Sequence, residues 1–472
     1  MWNIHQAYID GAFVPVHGAE VVDMIDPATE QLIGHARLAD REDAKRAIAA
    51  AGRAQPALAS TTKAQRIDML RRLEAAVLAR TDALRDVTIE EYGAPLARAQ
   101  WVSRYASACF ANAAQVLQDY PLTRQVGSAT VVMLPVGVSA LIAPWNSAVG
   151  TICCKLASAL SAGCASVIKP SELSPLQSHV LAQALHEADL PPGAFNILLG
   201  RGQDAGDEIS TSPGVARISF TGSTATGKVI ARAAVDTMKR VGLSLSGKCA
   251  SLILDDAELD TAVPQAVAAA FVNNGQACVA GSRLLVPRAR AGEIVERVQA
   301  AVAAMRVGDP RDADTAVGPL ASRAQFERVR GFIRRGIEEG ATLVAGGEER
   351  PAGLERGFFV RPTVFSDVRP DMAIAREEIF GPVLSIIACD DEAQAIRIAN
   401  DSPYGLQAYV FSSQPERAQR VALQVEAGTV LVNRVQPELL APFGGVKQSG
   451  VGREFGEAGL VSYLEPRTLG IG

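Results

Sequence analysis

One cysteine of this chain lies where a thiol could act as a nucleophile. Cys278 closes the segment Asn273-Asn274-Gly275-Gln276-Ala277-Cys278. The apolar pattern ahead of it predicts a helix over Leu259–Asn274, and Gly275 breaks that helix. A thiol at such a turn can be presented to a cleft instead of being packed in a core. We therefore take Cys278 as the candidate nucleophile.

The other cysteines indicate small buried side chains. The total of seven is odd, no CxxC pair occurs, and none of the five histidines lies near a cysteine in the sequence. Neither a disulfide framework nor a metal site is therefore expected. These six residues are Cys109, Cys153, Cys154, Cys164, Cys249 and Cys389.

Length and composition are those of an ordinary globular protein. The 472 residues exceed what one core supports, so two or three domains are expected. A net charge of -5 argues against a nucleic-acid partner or an anionic membrane. Met1 to Phe13 has no signal-peptide pattern, and the most apolar stretch, Val131 to Ala143, is too short to span a bilayer. We expect a cytoplasmic location.

The middle of the chain alternates between short apolar runs and helical stretches. Strand starts that recur every twenty to thirty residues are typical of an α/β fold with a doubly wound parallel sheet. The predicted strands are Val138–Ala143, Ala165–Lys169, Phe195–Leu199, Ala216–Phe220 and Val241–Leu245.

Helices and a second α/β pattern flank this sheet. From about Gly247 onward the alternation of strand and helix resumes. A β segment is predicted at Thr130–Leu134, and the extended end, Val461 to Leu469, is expected to pair with it or with another subunit. The predicted helices are Arg41–Ala57, Lys63–Glu91, Leu259–Asn274, Ala289–Met305 and Arg323–Glu339.

Polar motifs follow four of the predicted strands. Doubly wound sheets bind ligands beyond the carboxyl ends of their strands, which is where these motifs lie. They are Trp145-Asn146, Lys169 to Glu172, Gly200 to Gly206 and Thr221 to Ser223. Together they predict a ligand site at this edge of the sheet.

Three of these motifs suit a nucleotide. Ser223 and the helix that opens after it offer a hydroxyl and free N–H groups to a pyrophosphate. Gly202 and Gly206 lie in a loop that has one residue too many for GxGxxG, so a plain tight turn is an equal alternative. Glu172, beside Lys169, would accept hydrogen bonds from an adenosine ribose and repel a 2′-phosphate, which favours NAD over NADP.

Together with Cys278, several motifs resemble the aldehyde dehydrogenase superfamily, and the resemblance runs from Tyr8 to Leu469. It implies oxidation of a small-molecule aldehyde through a thiohemiacetal and a thioester on Cys278. The motifs are Pro144-Trp145-Asn146, Lys169-Pro170-Ser171-Glu172, Phe220-Thr221-Gly222-Ser223, Glu377 to Pro382, Pro442 to Gly445, Lys447 to Gly450 and Gly452 to Glu454.

The resemblance also implies roles for single residues. Asn146, with the backbone N–H of Cys278, would stabilise the oxyanion of the tetrahedral adduct. Glu378 would hold the nicotinamide ribose, and Phe380 would pack beside the ring. Phe443 and Ser147 are candidates for the substrate tunnel. The remaining residues expected at the cofactor are Trp145, Lys169, Ser171, Glu172, Gly202, Gly206, Phe220, Ser223 and Leu245.

Three structural parts follow from the same resemblance. A dinucleotide-binding domain would comprise residues 1–117 and 136–246, with 447–460 packing back on it. Residues 247–446 would form the catalytic domain, and residues 118–135 and 461–472 an oligomerisation extension of β structure. Homodimers or homotetramers are expected.

One expected partner of Cys278 is absent. The family pattern Leu-Glu-Leu-Gly-Gly-Lys supplies a general base as its glutamate, whereas this chain has Leu243-Ser244-Leu245-Ser246-Gly247-Lys248. An unassisted hydroxyl holds its proton too tightly to act as a base near neutral pH. Hydrolysis of the thioester to a carboxylate therefore lacks its usual support.

Several explanations compete for this departure. In the first explanation the base has moved to Glu454 or Glu378. In the second the acyl group is transferred to coenzyme A or an amine, and family members that use coenzyme A also lack the glutamate. An engineered substitution that traps the thioester is a third explanation. Because Ser246 and Cys249-Ala250 also differ from the family pattern, natural divergence is favoured. A catalytically retired scaffold is a further alternative, although Cys278 is retained.

A second departure concerns the substrate. Ser147-Ala148 follows Asn146 where an aromatic residue and a proline are common. If Ser147 lines the tunnel, its mouth is wider and less aromatic than usual. This indicates a bulkier or more polar aldehyde.

Overall fold

The first half of the chain alternates between short strands and helices. The computed structural model describes residues 1–470, and its elements are numbered in chain order. The strands up to residue 246 are β1 (Trp2–Ile4), β2 (Gln6–Ile9), β3 (Ala12–Pro15), β4 (Val21–Asp26), β5 (Gln31–Arg37), β6 (Thr123–Val126), β7 (Ala129–Pro135), β8 (Ser139–Ile142), β9 (Ser166–Lys169), β10 (Phe195–Ile197), β11 (Arg217–Thr221) and β12 (Arg240–Ser244). The helices are α1 (Arg41–Ala59), α2 (Lys63–Ala79), α3 (Thr81–Tyr92), α4 (Leu96–Asp119), α5 (Ala148–Ala162), α6 (Pro175–His186), α7 (Asp207–Thr211) and α8 (Thr224–Val235).

The second half repeats this alternation. Its strands are β13 (Ala250–Ile253), β14 (Arg283–Pro287), β15 (Thr342–Ala345), β16 (Thr363–Ser366), β17 (Val383–Cys389), β18 (Tyr404–Gly405), β19 (Gln407–Phe411), β20 (Thr429–Val432), β21 (Val446–Lys447), β22 (Gly450–Val451) and β23 (Leu464–Gly470). Its helices are α9 (Leu259–Phe271), α10 (Ala291–Ala303), α11 (Arg323–Glu338), α12 (Ala373–Arg376), α13 (Glu392–Asn400), α14 (Pro415–Ala422) and α15 (Gly456–Val461).

Five parallel strands form the centre of an eight-stranded sheet with the order β22-β12-β11-β8-β9-β10-β2-β3. The chain begins this parallel set at β8, adds β9 and β10 on one side, and then crosses over to add β11 and β12 on the other. The predicted doubly wound sheet is thereby confirmed. Its topological switch point, where such sheets bind ligands, lies between β8 and β11.

A second sheet carries the loop of the candidate nucleophile. Its order is β15-β16-β17-β14-β13-β19-β20, and every pair is parallel except the edge pair β15–β16. Helix α9 leaves β13, and the chain returns to β14 through the segment that contains Cys278. The carboxyl-terminal end of α9 therefore sets the position of this thiol.

The last strand closes a small third sheet of β23, β7 and β6. The C-terminal segment is predicted to pair with the early β segment or with another subunit. Within this chain it pairs with that early segment, β7, and Leu469 lies opposite Thr130. Residues 471–472, the end of the predicted oligomerisation extension, lie outside the described residues. The domain boundaries and the pairing of subunits stay predictions. Within residues 1–470 no helix is long and apolar enough to cross a membrane.

Three predicted element boundaries are wrong. The single helix predicted over Lys63–Glu91 is two helices, because the backbone of Arg80 (φ -106°, ψ 13°) leaves the helical region. The helix predicted to Asn274 ends at Phe271, because Asn273 and Asn274 are left-handed. The extended C-terminal segment starts at Leu464 and not at Val461, which is the last residue of α15.

The core around α4 provides a test of this packing. Phe110 on α4 is fully buried in the main hydrophobic core, whereas Leu78 on α2 is 57% exposed. We expect Phe110→Ala to lower the free energy of unfolding by about 3–5 kcal/mol, because it leaves a cavity that neighbours fill only in part. The measurement is urea denaturation. Leu78→Ala is the control, with an expected change below about 0.5 kcal/mol, and equal effects of the two variants would contradict the packing.

Candidate active site

A cleft opens at the switch point of the first sheet. Its volume is about 420 Å³, within the usual range for small-molecule sites. The segments that follow β8, β11 and β12 form one wall, and the second sheet contributes the other. The predicted site residues that line it are Trp145, Asn146, Ser223, Ser244, Leu245, Cys278, Glu378 and Phe380. The structure thus brings together the candidate nucleophile, its oxyanion partner and part of the cofactor set.

The turn ahead of Cys278 has an unusual backbone. Asn273 (φ 56°), Asn274 (φ 59°) and Gly275 (φ 71°) are three successive left-handed residues. Asparagine tolerates this conformation better than most residues, and glycine adopts it freely. At Gly275 a Cβ atom would also lie 2.2 Å from the carbonyl oxygen of Gly381. The turn that presents the thiol therefore requires Gly275, and asparagine suits the two positions before it.

Side-chain amides hold this turn against the first sheet. Asn146 Nδ2 donates to the carbonyl oxygen of Gln276 at 2.8 Å, and Asn273 Nδ2 donates to the carbonyl oxygen of Asn146 at 3.0 Å. Asn274 Nδ2 donates to the carbonyl oxygens of Gly93 (3.2 Å) and Pro319 (3.0 Å). Since an amide group has two N–H donors, one N–H of Asn146 stays free for a ligand.

Burial dominates the electrostatics of the thiol. It raises the pKa of Cys278 to about 12, and the nearby Glu378 carboxylate acts in the same direction. Cys249 Sγ donates to the carbonyl oxygen of Cys278 at 3.2 Å and is itself buried. Cys278 is accordingly a protonated thiol at neutral pH.

The loop of Glu378 and Phe380 is held from α11. Gln325 Nε2 donates to the carbonyl oxygen of Phe380 at 2.6 Å, and Arg328 Nη2 donates to the carbonyl oxygen of Glu378 at 2.6 Å. Glu378 Oε1 accepts a hydrogen bond from the backbone N–H of Gly247 at 2.9 Å, and burial raises its pKa. Phe380 meets Trp145 edge to face, with ring centroids 5.3 Å apart.

Sequence reasoning missed several residues of the cleft. Gln325 and Arg328 lie on a helix that reads as an ordinary amphipathic element, so no local signal marks them. Glu377 is part of a motif already recognised and could have been included. Tyr404 follows Pro403 and begins the two-residue strand β18, which has no distinctive sequence pattern. The missed lining residues are Thr224, Ala225, Ser246, Gln325, Arg328, Glu377 and Tyr404.

A second group of predicted residues lies apart from the cleft lining, at the ends of β9 and β10. Lys169 Nζ donates to the carbonyl oxygen of Gly200 at 2.8 Å and lies 4.0 Å from the Glu172 carboxylate. Gly202 and Gly206 bound a single π-helical turn, which accounts for the residue in excess of GxGxxG. Ser171 Oγ accepts a hydrogen bond from the backbone N–H of Leu173. Phe220, on β11, also lies outside the lining, buried beneath Gly222.

The substitute base and the tunnel candidates are also outside the lining. Glu454 Oε1 pairs with the buried Lys155 Nζ and accepts from Ser219 Oγ at 3.2 Å. Phe443 exchanges two backbone hydrogen bonds with Glu454 and stacks on Phe455, with centroids 5.4 Å apart. Ser147 occupies the position just before α5, and its side chain makes no capping hydrogen bond there. Their catalytic and tunnel roles stay predictions.

Comparison with known proteins identifies the family. The model of the aldehyde dehydrogenase family matches residues 13–469. A 3-succinoylsemialdehyde-pyridine dehydrogenase from a Pseudomonas species is 44% identical over 471 residues, 99% of each chain. This chain therefore belongs to the aldehyde dehydrogenase family, as its motifs predict.

Solved structures agree with this fold. A mutant of aldehyde dehydrogenase C from Pseudomonas syringae, crystallised with NAD+ and octanal, is 40% identical, with a TM-score of 0.97 over 98% of this chain and 96% of its own. An aldehyde dehydrogenase from Bartonella henselae is 36% identical, with a TM-score of 0.97 over 99% of each chain. The α/β aldehyde dehydrogenase fold predicted from the sequence is confirmed.

The raised pKa of Cys278 predicts the pH dependence of its alkylation. A thiol that ionises near pH 12 is protonated throughout the neutral range, so its reactive thiolate fraction should grow about tenfold per pH unit between pH 7 and pH 10. The measurement is the rate of iodoacetamide labelling of the Cys278 peptide by mass spectrometry, without cofactor. Glutathione is the control, because its rate levels off above pH 9 or so. A plateau for Cys278 below pH 8 would contradict the prediction.

Proposed function

We propose that this enzyme oxidises an aldehyde with NAD and forms a thioester on Cys278 on the way to a carboxylate. The observation that carries the proposal is the cleft itself, which has the Cys278 thiol, the Asn146 amide and the Glu378 carboxylate in its walls. A nucleophile, an oxyanion donor and a ribose acceptor are the groups that this reaction needs.

Cys278 and Asn146 would carry the first half of the reaction. The Cys278 thiol gives its proton to the Glu378 carboxylate in the same cleft, the sulfur attacks the carbonyl carbon, and the C=O double bond becomes a C–O⁻ single bond. The free N–H of Asn146 and the backbone N–H of Cys278 donate to this oxygen and stabilise its charge. When the thiohemiacetal loses a hydride, the C=O double bond reforms and Cys278 carries a thioester.

The residues around the cleft fit a dinucleotide, which when bound would supply the acceptor of the hydride. Ser223 and Ala225 line the cleft at the N-terminus of the twelve-residue α8, where the helix dipole and a free N–H suit a pyrophosphate. Glu378 would accept hydrogen bonds from the nicotinamide ribose. Glu172, near Lys169, would do so for the adenosine ribose, which favours NAD over NADP.

Release of the acyl group depends on a base or on another nucleophile. Ser244 lines the cleft but offers no base. Glu454 is engaged by Lys155 and lies outside the lining, whereas Glu378 lines the cleft and its raised pKa makes it the better proton acceptor near neutral pH. We propose that Glu378 activates water slowly. Transfer to coenzyme A is the second candidate, which the serine at position 244 favours.

Removal of the nucleophile should abolish the first half of the reaction. Purified protein with NAD and a panel of aldehydes should give a burst of NADH, and Cys278→Ala should abolish it, because no thiohemiacetal can form. The measurement is stopped-flow absorbance at 340 nm or thereabouts. Cys389→Ala, at a buried cysteine on β17, is the matched control and should keep the burst. Absence of a burst from the unaltered protein with every aldehyde would favour a retired scaffold.

A carboxylate restored at position 244 should speed release of the thioester. Ser244→Glu should raise the steady-state rate by about 10²–10⁴-fold, the usual contribution of a general base, and leave the burst unchanged. Ser244→Gln is the control, since it fills similar space without a carboxylate. A steady-state rate that already rises sharply with added coenzyme A would instead support acyl transfer. If neither the glutamate nor any acceptor changes the rate, release is not the slow step.

A further inference from the structure

Helices α4 and α5 lie side by side and run in the same direction. The ring of Tyr105 on α4 covers Gly150 on α5, where a Cβ atom would lie 2.8 Å from two ring carbons. Further along, Val116 and Ser161 line one small cavity between the same helices. The first turn of α4 therefore lies beside the segment that leads into α5, which is the segment of Trp145, Asn146 and Ser147. A shared apolar cluster of Ala99 and Trp145 agrees with this register.

Arg98 belongs to that first turn. Its guanidinium stacks on the Trp101 ring, with Cζ 4.4 Å from the centroid. Its Nε atom is buried and has no hydrogen-bond partner among the described residues. Burial lowers the pKa of Arg98, and the ionisable groups that oppose this shift are the hydroxyls of Tyr92 and Tyr105 and the thiol of Cys278. No carboxylate of the described residues is among them.

A buried cation on α5 has a partner that Arg98 lacks. Lys155 is neutralised by Glu454. Stacking on an indole is a weak attraction and leaves the N–H edge of a guanidinium free. A buried donor without an acceptor is destabilising. Arg98 thus has a free donor edge and an uncompensated charge near Cys278, which stacking alone does not explain.

We propose that Arg98 binds a carboxylate on the aldehyde substrate and makes this enzyme selective for short oxo-acids over neutral aldehydes. The inference rests on the proposed function, because the aldehyde end must react at Cys278. A guanidinium suits a carboxylate, since its N–H groups form paired, charge-assisted hydrogen bonds. The rings of Tyr105, Phe455 and Phe443, in contact one after another, would cover the carbon chain between the two ends.

The experiment compares oxo-acids of four to six carbons with their methyl esters. The ratio of kcat/KM for acid over ester should exceed one in the unaltered protein and fall by about 10–100-fold in Arg98→Gln, the range for loss of a charged hydrogen bond. Arg98→Lys should restore part of the ratio through KM. Arg104→Gln, at an exposed arginine of the same helix, should leave the ratio unchanged. Equal kcat/KM values for acid and ester in the unaltered protein would overturn the proposal. A ratio that Arg98→Gln leaves unchanged would do the same.

A binding measurement separates this inference from the proposed reaction. In a Cys278→Ala background no turnover is possible, yet the oxo-acid should still bind, with affinity that falls in the double variant with Arg98→Gln. Calorimetry with acid and ester gives this difference without any hydride transfer. If no aldehyde is oxidised but the acid binds through Arg98, the proposed function fails and the anion site stands. If esters are oxidised and the acids bind no more tightly than the esters, only the proposed anion site fails.

Discussion

The active site depends on the side-chain amides that hold the left-handed turn before Cys278. Two successive non-glycine residues in this conformation cost roughly 1–2 kcal/mol each, so the turn cannot persist without external support. Asn273 receives that support from the segment after β8, and Asn274 from the end of α3 and from Pro319. Because these partners come from distant parts of the chain, the thiol reaches its position only when both sheets are assembled. The nucleophile and its oxyanion donor are thus fixed by one network and not by two separate features.

The order of strands explains why the predicted cofactor residues form two groups. Those after β8, β11 and β12 lie at the switch point and line the cleft with Cys278. Those after β9 and β10, around Lys169, lie on the other side of β8 and contact one another. A dinucleotide is long enough to touch both groups, since its two ribose units are joined by a pyrophosphate. The separation is a property of the sheet, and it agrees with one extended ligand.

Much of the fold could be predicted because its strands are short apolar runs that alternate with helices at a regular interval. The nucleophile was visible because Gly275 breaks a helical pattern just ahead of Cys278, although Asn273 and Asn274 were wrongly included in that helix. The break at Arg80 was not visible, since no glycine or proline marks it. Arg328 and Gln325 were missed for a related reason. Their contacts to the loop of Glu378 are made across 50 or more residues of sequence, and a periodic pattern carries no information about such pairs.

The edge strand β22 has a consequence for the order of assembly. It pairs with β12, so Val451 lies opposite Leu243, and the backbone N–H of Leu245 donates to the carbonyl oxygen of Ser449 at 2.9 Å. Lys155 likewise forms an ion pair with Glu454, and β7 pairs with β23. During translation these partners emerge more than two hundred residues after the strands and the lysine that they contact. A nascent chain of this enzyme therefore carries an open sheet edge, and a lysine without its acid, until β22 and Glu454 have emerged.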